Sequence, residues 1–151
     1  MKKLFFALVA LLCLTACSPN RQVPKGTRDV PFEIAHGYFF RNGQPLPSDA
    51  KITSEDTFRQ LFGMAAVMGK DGMPTVIDFS KQFVIALVMP VTDTLTEIEP
   101  QSLRQEDGAL VYTYEVHMGD KQTWSMQPVS IIVVDNQYVQ LPLRLVSLMG
   151  L

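Results

Sequence analysis

The sequence predicts an α+β fold in which one helix packs on an antiparallel sheet of about six strands. One stretch, residues 53–69, has apolar residues at helical spacing. Downstream of it, apolar runs alternate with short turns, and strands joined by such turns pair antiparallel. The chain has 151 residues, of which 47% are apolar and 19% charged, and this composition suits one globular domain. With a formal net charge of −2, it lacks the basic surface expected of a nucleic-acid-binding protein.

An aromatic-rich segment and a capped helix open the predicted domain. Residues 32–40 predict a first strand, and residues 42–43 (Asn-Gly) favour a tight turn after it. Thr53 or Ser54 can cap the helix, and two acidic residues follow at the positive end of its dipole. The helix ends at one of two glycines within residues 63–69. Its apolar stripe consists of Phe58, Leu61, Phe62, Ala65 and Met68.

Apolar or alternating segments follow the helix and predict the remaining strands. Residues 83–89 are continuously apolar, which is typical of a strand buried on both faces. No helical pattern separates the later segments, so we expect antiparallel connections between them. The predicted strands are 76–79, 83–89, 92–99, 110–117, 127–134 and 138–148, with turns at 106–108, 118–120 and 135–136.

The beginning of the chain predicts export and lipid attachment. After a short positive start, residues 4–16 are uncharged, but a membrane-spanning helix needs about 20 apolar residues. A basic start, a short apolar run and small residues after it are typical of a secretory signal peptide. Residues 14–17 (LTAC) resemble a bacterial lipobox. This resemblance implies that residues 1–16 are removed and that Cys17, as the new first residue, carries a diacylglyceryl thioether and an acylated amine.

Lipidation at Cys17 leaves a mature chain of 135 residues without a free thiol, since Cys13 is removed with the leader. No disulfide can then form, so the domain depends on a packed core. Residues 17–30 are polar and contain two prolines, which predicts a lipidated flexible tether to a single α+β domain at residues 31–151. By the same resemblance, Ser18 in place of an aspartate indicates the outer membrane, and we expect the domain to face the periplasm.

A second resemblance concerns the domain. Residues 74–89 (PTVIDFSKQFVIALVM) resemble the core of the C-terminal domain of the protease-complex-subunit (PrcB-type) family, in which a helix, an Asp-Phe-Ser-Lys-like turn and an apolar strand follow one another. Residues 127–134 (QPVSIIVV) resemble its closing strand, so the likeness covers about residues 52–134. The resemblance implies the fold and a location at the cell envelope, and it transfers no catalytic or ligand-binding residue.

The sequence offers no motif for catalysis, a metal or another cofactor. It has no Gly-x-Ser-x-Gly and no His-Glu-x-x-His, and we interpret His36 and His117 as surface or strand-end residues. Two interpretations are open for the segment from Asp78 to Lys81. It is either a turn in which Asp78 accepts a backbone N–H two residues on, or a charged lip for a partner. Because the sequence lacks these catalytic and metal-binding motifs, we predict that the protein is not an enzyme.

Four residues are predicted to contact a partner protein. Lys70, Asp71 and Met73 lie in a loop with methionines, which adapt their shape to a partner, and Trp124 anchors either the core or an interface. The first hypothesis is a membrane-anchored, non-enzymatic envelope lipoprotein that binds protein, as an accessory or regulator of an envelope protease. One alternative is a lipoprotein that binds a small apolar ligand. The other is a hydrolase that uses His117.

Overall fold

A computed structural model describes residues 26–65 and 72–149. Sheet A contains β1, β7, β8 and β10 in that order, sheet B contains β2, β9, β6 and β4, and β3 pairs with β5. No helix in the described ranges is long and apolar enough to cross a membrane. The elements are β1 (Arg28–Asp29), β2 (Glu33–Ile34), β3 (Tyr38–Phe40), β4 (Lys51–Ile52), α1 (Glu55–Leu61), β5 (Phe62–Met64), β6 (Gln82–Val88), β7 (Thr92–Glu106), β8 (Ala109–Met126), β9 (Val129–Asp135), a 3-10 turn (Asn136–Tyr138) and β10 (Leu143–Met149).

The predicted α+β architecture is wrong, because the described chain is β-rich and has two four-stranded sheets instead of one sheet under a helix. The physical reason lies in β6 and β9, whose side chains are buried on both faces. A seven-residue helix is too small to cover all of this apolar surface. One face of sheet B therefore packs against sheet A, and the other packs against α1 and the β3–β5 strand pair.

Alternate side chains of β6 and β9 enter two separate cores. Phe83, Ile85 and Ile132 point toward sheet A, where they meet Leu110 and Tyr112. The prediction that residues 83–89 form a strand buried on both faces is thus confirmed for the whole interior of β6. The second core contains Val84, Ala86, Ile131 and Val133 together with Phe40, Ile52, Phe58 and Phe62.

Sheet A is built on the long β7–β8 hairpin, whose tight turn places Asp107 and Gly108 at positive φ. The last strand, β10, pairs with β8 in parallel, with Leu143 opposite Leu110. The expectation of antiparallel pairing throughout is therefore wrong for β10. Its predecessor along the chain, β9, belongs to the other sheet, so the chain crosses between the layers before β10 begins and no hairpin reverses its direction.

The helix begins as predicted but ends before its apolar stripe does. Ser54 is the N-cap, and its Oγ accepts the Thr57 N–H at 3.2 Å. After Leu61 the chain becomes extended, because β5 pairs with β3. The predicted first strand at residues 32–40 is also divided, since Gly37 at positive φ separates β2 in sheet B from β3.

The predicted leader, residues 1–16, and the lipidated Cys17 lie outside the described residues. Farther along the predicted tether, Arg28 and Asp29 form β1 and pair with β7, and Val30 is buried in the core between the sheets. The last residues of the predicted tether therefore form part of sheet A, as β1.

Tyr112 lies fully buried between the sheets, and its hydroxyl has no hydrogen-bond partner in the described part of the chain. Burial raises the pKa of Tyr112 from 10.0 to about 12. Between pH 10 and about pH 12, the unfolded chain loses the phenolic proton of Tyr112, whereas the folded chain keeps it. The free energy of unfolding therefore falls as the pH rises through this window.

We expect a loss on the order of 2–3 kcal/mol across that window, and we expect Tyr112→Phe to remove most of it. Urea unfolding at a series of alkaline pH values measures the slope. At neutral pH, where the phenol is protonated in both states, the variant serves as its own control and should differ from wild type by about 1 kcal/mol or less. Burial also raises the pKa of Tyr38, so a smaller alkaline loss remains in the variant. A loss in Tyr112→Phe as large as that of wild type would contradict the assignment.

Candidate functional site

An apolar groove opens between the two sheets beside the end of β6. Its volume is about 740 Å³. The groove exists because β4 is shorter than β6. The last hydrogen bond between this part of the chain and β6 runs from the Ala86 N–H to the Ala50 carbonyl, and no described strand pairs with this edge of β6 after Ala86. Apolar side chains of both sheets therefore remain uncovered at this end. Those that form the walls include Leu87, Met89, Ile98, Tyr114, Val116 and Met118. The lining also contains Glu115 and His117 of β8 and Ser147 of β10.

The outer edge of β10 is the second notable feature, because no described strand pairs with it. Leu145 and Ser147 lie on the inner face of sheet A, and Ser147 also lines the groove. Arg144, Val146 and Leu148 lie on the outer face. Side chains on both faces are uncovered, with exposed fractions of 44% for Leu145, 40% for Val146 and 46% for Leu148.

The backbone of β10 presents free hydrogen-bonding groups at this edge. The Leu110 N–H donates to the Pro142 carbonyl at 2.8 Å, so Pro142 and every second residue after it direct their backbone groups at β8. The alternation along a strand leaves the N–H and C=O groups of Leu143, Leu145 and Ser147 pointing away from the sheet. Such a row of unpaired groups is a template for another strand.

A histidine and two glutamates meet on the outer face of sheet A. Glu99 lies directly opposite Glu115, His117 Nε2 is 3.0 Å from Glu99 Oε2, and His117 Nδ1 is 3.9 Å from Glu115 Oε1. One ligand atom from each residue lies within 4.8 Å of the others, so the group has the donor types for a divalent cation. The hydrogen bond between the His117 ring and the Glu99 carboxylate also accounts for this contact without a metal.

The surroundings of His117 bear on the hydrolase alternative. In the described ranges its ring hydrogen-bonds to the Glu99 carboxylate, and no serine or threonine hydroxyl bonds to it. A nucleophile next to the base, which a serine hydrolase needs, is thus not assembled there. A hydrolase that uses His117 stays a prediction from the sequence.

Of the predicted partner-binding residues, the structure describes Met73 and Trp124, and it places these two apart. Met73 is exposed at the rim of a different cavity of about 510 Å³ beside α1, whereas Trp124 is half-exposed on β8. Lys70 and Asp71 lie outside the described residues. Met73 and Trp124 belong to different layers of the fold, and a partner contact by any of the four stays a prediction.

Residues 76–79, predicted as a strand, form an irregular segment that leads into a turn. Asp78 Oδ1 accepts the Ser80 N–H at 3.0 Å, and Lys81 Nζ lies 3.2 Å from Asp78 Oδ2. The hydrogen bond from the Ser80 side chain, followed by that from Lys81, lowers the pKa of Asp78. The interpretation of this segment as a capped turn is confirmed.

Comparison with known protein families bears on the start of the chain. Residues 1–18 match the family described as the prokaryotic membrane lipoprotein lipid attachment site. The protein is a bacterial membrane lipoprotein. The matched segment contains the lipobox at residues 14–17, so the lipoprotein is anchored in the cell envelope by lipid. No curated protein and no solved structure matches the lipoprotein. The resemblance of residues 74–89 to the protease-complex-subunit family is not supported by these comparisons.

Sequence reasoning missed the edge of β10. Residues 138–148 predict a strand, but the run at 143–149 (LRLVSLM) has no clear alternation of polar and apolar positions. Such a run is expected of a central strand covered on both faces. The lipoprotein instead places it at the border of sheet A, where both faces stay partly exposed. The available signal was the apolar pattern itself, but the pattern does not say whether a neighbour covers it.

Proposed function

We propose that this lipoprotein is a non-enzymatic protein-binding module of the bacterial envelope, and that it binds an extended segment of another chain at the outer edge of β10. The observation that carries the proposal is the row of unpaired backbone groups on a regular, mostly apolar strand. In strand addition, main-chain hydrogen bonds provide affinity and alternate side chains provide specificity. Alternate side chains of the added strand would point toward the groove that Ser147 lines.

The other sheet edges carry the protection that β10 lacks. β1, β2 and β4 have only two residues each. The strands β7 and β8 extend past the end of β10 as a two-stranded ribbon. The register of this ribbon shifts between Thr92 and Thr96, and the ribbon carries the charged residues Asp120 and Lys121. Short strands, bulges and charges are the means by which proteins protect their edges. β10 pairs with β8 over its whole length without a register shift.

A proline at position 145 tests strand addition. The Leu145 N–H points away from β8, so Leu145→Pro removes an edge donor without removing a bond of the ladder. Leu145→Ala is the matched control, because it shortens the same side chain and keeps the N–H. We expect Leu145→Pro to weaken binding of the added chain about tenfold, which corresponds to one lost hydrogen bond.

The measurement compares the tagged, lipidated proteins after mild solubilisation from their own membranes. Wild type and Leu145→Ala should retain the same bound chain, and Leu145→Pro should release it. Circular dichroism of each variant shows that the fold is intact. Equal retention by all three proteins would contradict binding at this edge.

A role as accessory or regulator of an envelope protease rests on the resemblance of residues 74–89 alone. It stays a prediction about the partner. An envelope protease or its substrate is therefore one chain to look for among those that Leu145→Pro releases.

The groove favours a second candidate function, the binding of a small apolar ligand. Its volume of about 740 Å³ falls within the range of small-molecule sites. Val116→Trp would fill the groove while leaving the outer backbone groups of β10 unchanged. Saturable binding of a fluorescent fatty acid that Val116→Trp abolishes and Leu145→Pro preserves would favour this function over strand addition.

We also infer that the lipoprotein resides in the outer membrane and faces the periplasm, because Ser18 follows the lipidated Cys17. We expect it to sediment with outer-membrane vesicles and to resist protease added to intact cells. Ser18→Asp should move it to the inner-membrane fraction, whereas Asn20→Asp, two positions farther on, should not. A distribution that Ser18→Asp leaves unchanged would contradict the inference.

A further inference from the structure

We propose that the strand added to β10 is β10 of a second copy, so that two molecules of the lipoprotein form a two-fold symmetric dimer. This inference rests on the proposed function, since it names the partner of the same edge. Most homo-oligomers are two-fold dimers, in which the same surface of each subunit meets the other. A strand can take part in such an interface only if it complements its own reversed sequence.

One antiparallel register uses the whole of β10. With the two-fold axis at Val146, all seven residues of the strand overlap. Leu145 then faces Ser147 of the second copy, so the outward-pointing backbone groups of the two strands bond to each other. Val146 faces its own counterpart, and such β-branched cross-strand pairs stabilise sheets. Arg144, the one charged residue of the strand, faces Leu148 and not its own copy.

Charge complementarity supports a second copy as the occupant. Within one molecule, Leu148 lies next to Glu115 of β8 on the outer face of sheet A. In the dimer, Arg144 therefore lies two strands away from Glu115 of the second copy. The backbones are about 10 Å apart, a distance that an arginine and a glutamate side chain together can span. The two-fold axis produces this pair twice.

Within one molecule, Glu115 lies between a second carboxylate and His117, whose Nδ1 is 3.9 Å from Glu115 Oε1, and Arg144 lies apart from the described acidic groups. Glu115 lies directly opposite Glu99, and like charges in that position are unfavourable. Arg144 forms no ion pair with any residue of the described ranges. An arginine from a second copy would offset the negative charge beside Glu115.

The dimer also fits the position of the lipid anchor. The segment that follows Cys17 enters sheet A at β1, on the edge opposite to β10. Joining two molecules at β10 places the two anchored segments at the outer borders of the joined sheet. Neither segment has to cross the interface, and the exposed side chains of Leu145, Val146 and Leu148 gain cross-strand neighbours from the second copy.

Two cysteine variants test the register in the lipidated protein in its own membranes. Val146→Cys and Leu148→Cys put thiols on the same face of β10, at positions with exposed fractions of 40% and 46%. In the proposed register the Val146 Cα atoms of the two copies are about 4.5 Å apart, within the range of a disulfide, whereas the Leu148 Cα atoms are about 13–14 Å apart. Random collisions would link both variants equally.

We expect mild oxidation to link Val146→Cys into dimers about tenfold more efficiently than Leu148→Cys, because geometry allows the disulfide only at position 146. Lipid blocks Cys17, so the introduced cysteine is the free thiol of the mature chain. Equal linking of the two variants, or linking of neither, would overturn the proposal.

Charge reversal tests the identity of the partner. Arg144→Glu alone or Glu115→Arg alone brings like charges together across the interface, whereas the double variant restores opposite charges in the exchanged sense. We expect each single reversal to raise the dimer Kd by about threefold to tenfold, and the double variant to return to within about twofold of wild type. Analytical ultracentrifugation of the solubilised lipoprotein measures this. A double variant that dimerises no better than the single variants would overturn the register.

These outcomes separate failure of the dimer from failure of the proposed function. If Val146→Cys yields no dimer while Leu145→Pro still releases a different protein, the second copy is the wrong partner and strand addition stands. If Leu145→Pro alters neither the dimer nor any other bound chain, strand addition at β10 is itself wrong.

Discussion

Replacing Phe83 with alanine is expected to lower the free energy of unfolding by about 3–5 kcal/mol. The Phe83 side chain is fully buried in the core between the two sheets. Truncation removes its apolar contacts and leaves a cavity. The surrounding residues belong to strands held by ladders on both sides, so the cavity cannot close by a small local movement. A single domain is stable by only about 5–15 kcal/mol, and the loss therefore takes a large part of the total.

Urea unfolding followed by far-ultraviolet circular dichroism measures this loss. Val76→Ala is the control, because the Val76 side chain is 89% exposed and its truncation should change the stability by about 0.5 kcal/mol or less. A loss below about 1 kcal/mol for Phe83→Ala would contradict a core shared by the two sheets.

Replacing Cys17 with alanine is expected to abolish lipid attachment and with it the retention of the mature protein on membranes. The lipobox requires a thiol, since the sulfur forms the thioether to the diacylglyceryl group. Each buried CH₂ of an acyl chain contributes about 0.8 kcal/mol to membrane binding, and two or more chains make the anchoring stable. No other part of the described chain supplies a membrane-spanning helix in their place.

Mass spectrometry and labelling with a radioactive fatty acid check this expectation. The variant should retain its leader and incorporate no label. Cys13→Ala is the control, because it removes the other cysteine and leaves the lipobox at residues 14–17 complete. Lipid incorporation in Cys17→Ala, or its loss in Cys13→Ala, would contradict the assignment of the attachment site.

Several features could be predicted from the sequence because their causes are local. Ser54 caps α1 through its own side chain, and Asp78 closes a turn with a residue two positions on. The apolar run at 83–89 requires cover on both faces wherever it is placed. The lipobox is recognised as a short linear segment, and it was accordingly identified in the leader. None of these features depends on residues distant in the chain.

The errors concern the way in which strands combine. The apolar residue Phe62 suits a longer helix, but pairing of β5 with β3 draws it into a strand. The segment at 143–149 predicts a strand without indicating that its partner is β8 or that the pairing is parallel. A tight turn specifies an antiparallel neighbour, whereas a chain that crosses from one layer to another leaves the neighbour and its direction open.

In the candidate site, too, local features could be predicted from the sequence and features that depend on strand pairing could not. The prediction of Met73 and Trp124 as partner residues depends on their side chains alone, and the structure places Met73 beside α1 and Trp124 on β8. The edge of β10 depends on which strand lies beside it, and the groove depends on where β4 ends. No residue type signals either property.

The sequence by itself determined the lipid attachment and the burial of β6 on both faces, because each follows from residue type and local order. Only the tertiary structure decided that two sheets share the core, that β10 runs parallel to β8, and that its outer edge stays open. Strand partners are selected by the burial of side chains and backbone groups across the whole molecule. The total burial of side chains and backbone groups cannot be predicted from any single segment of the chain.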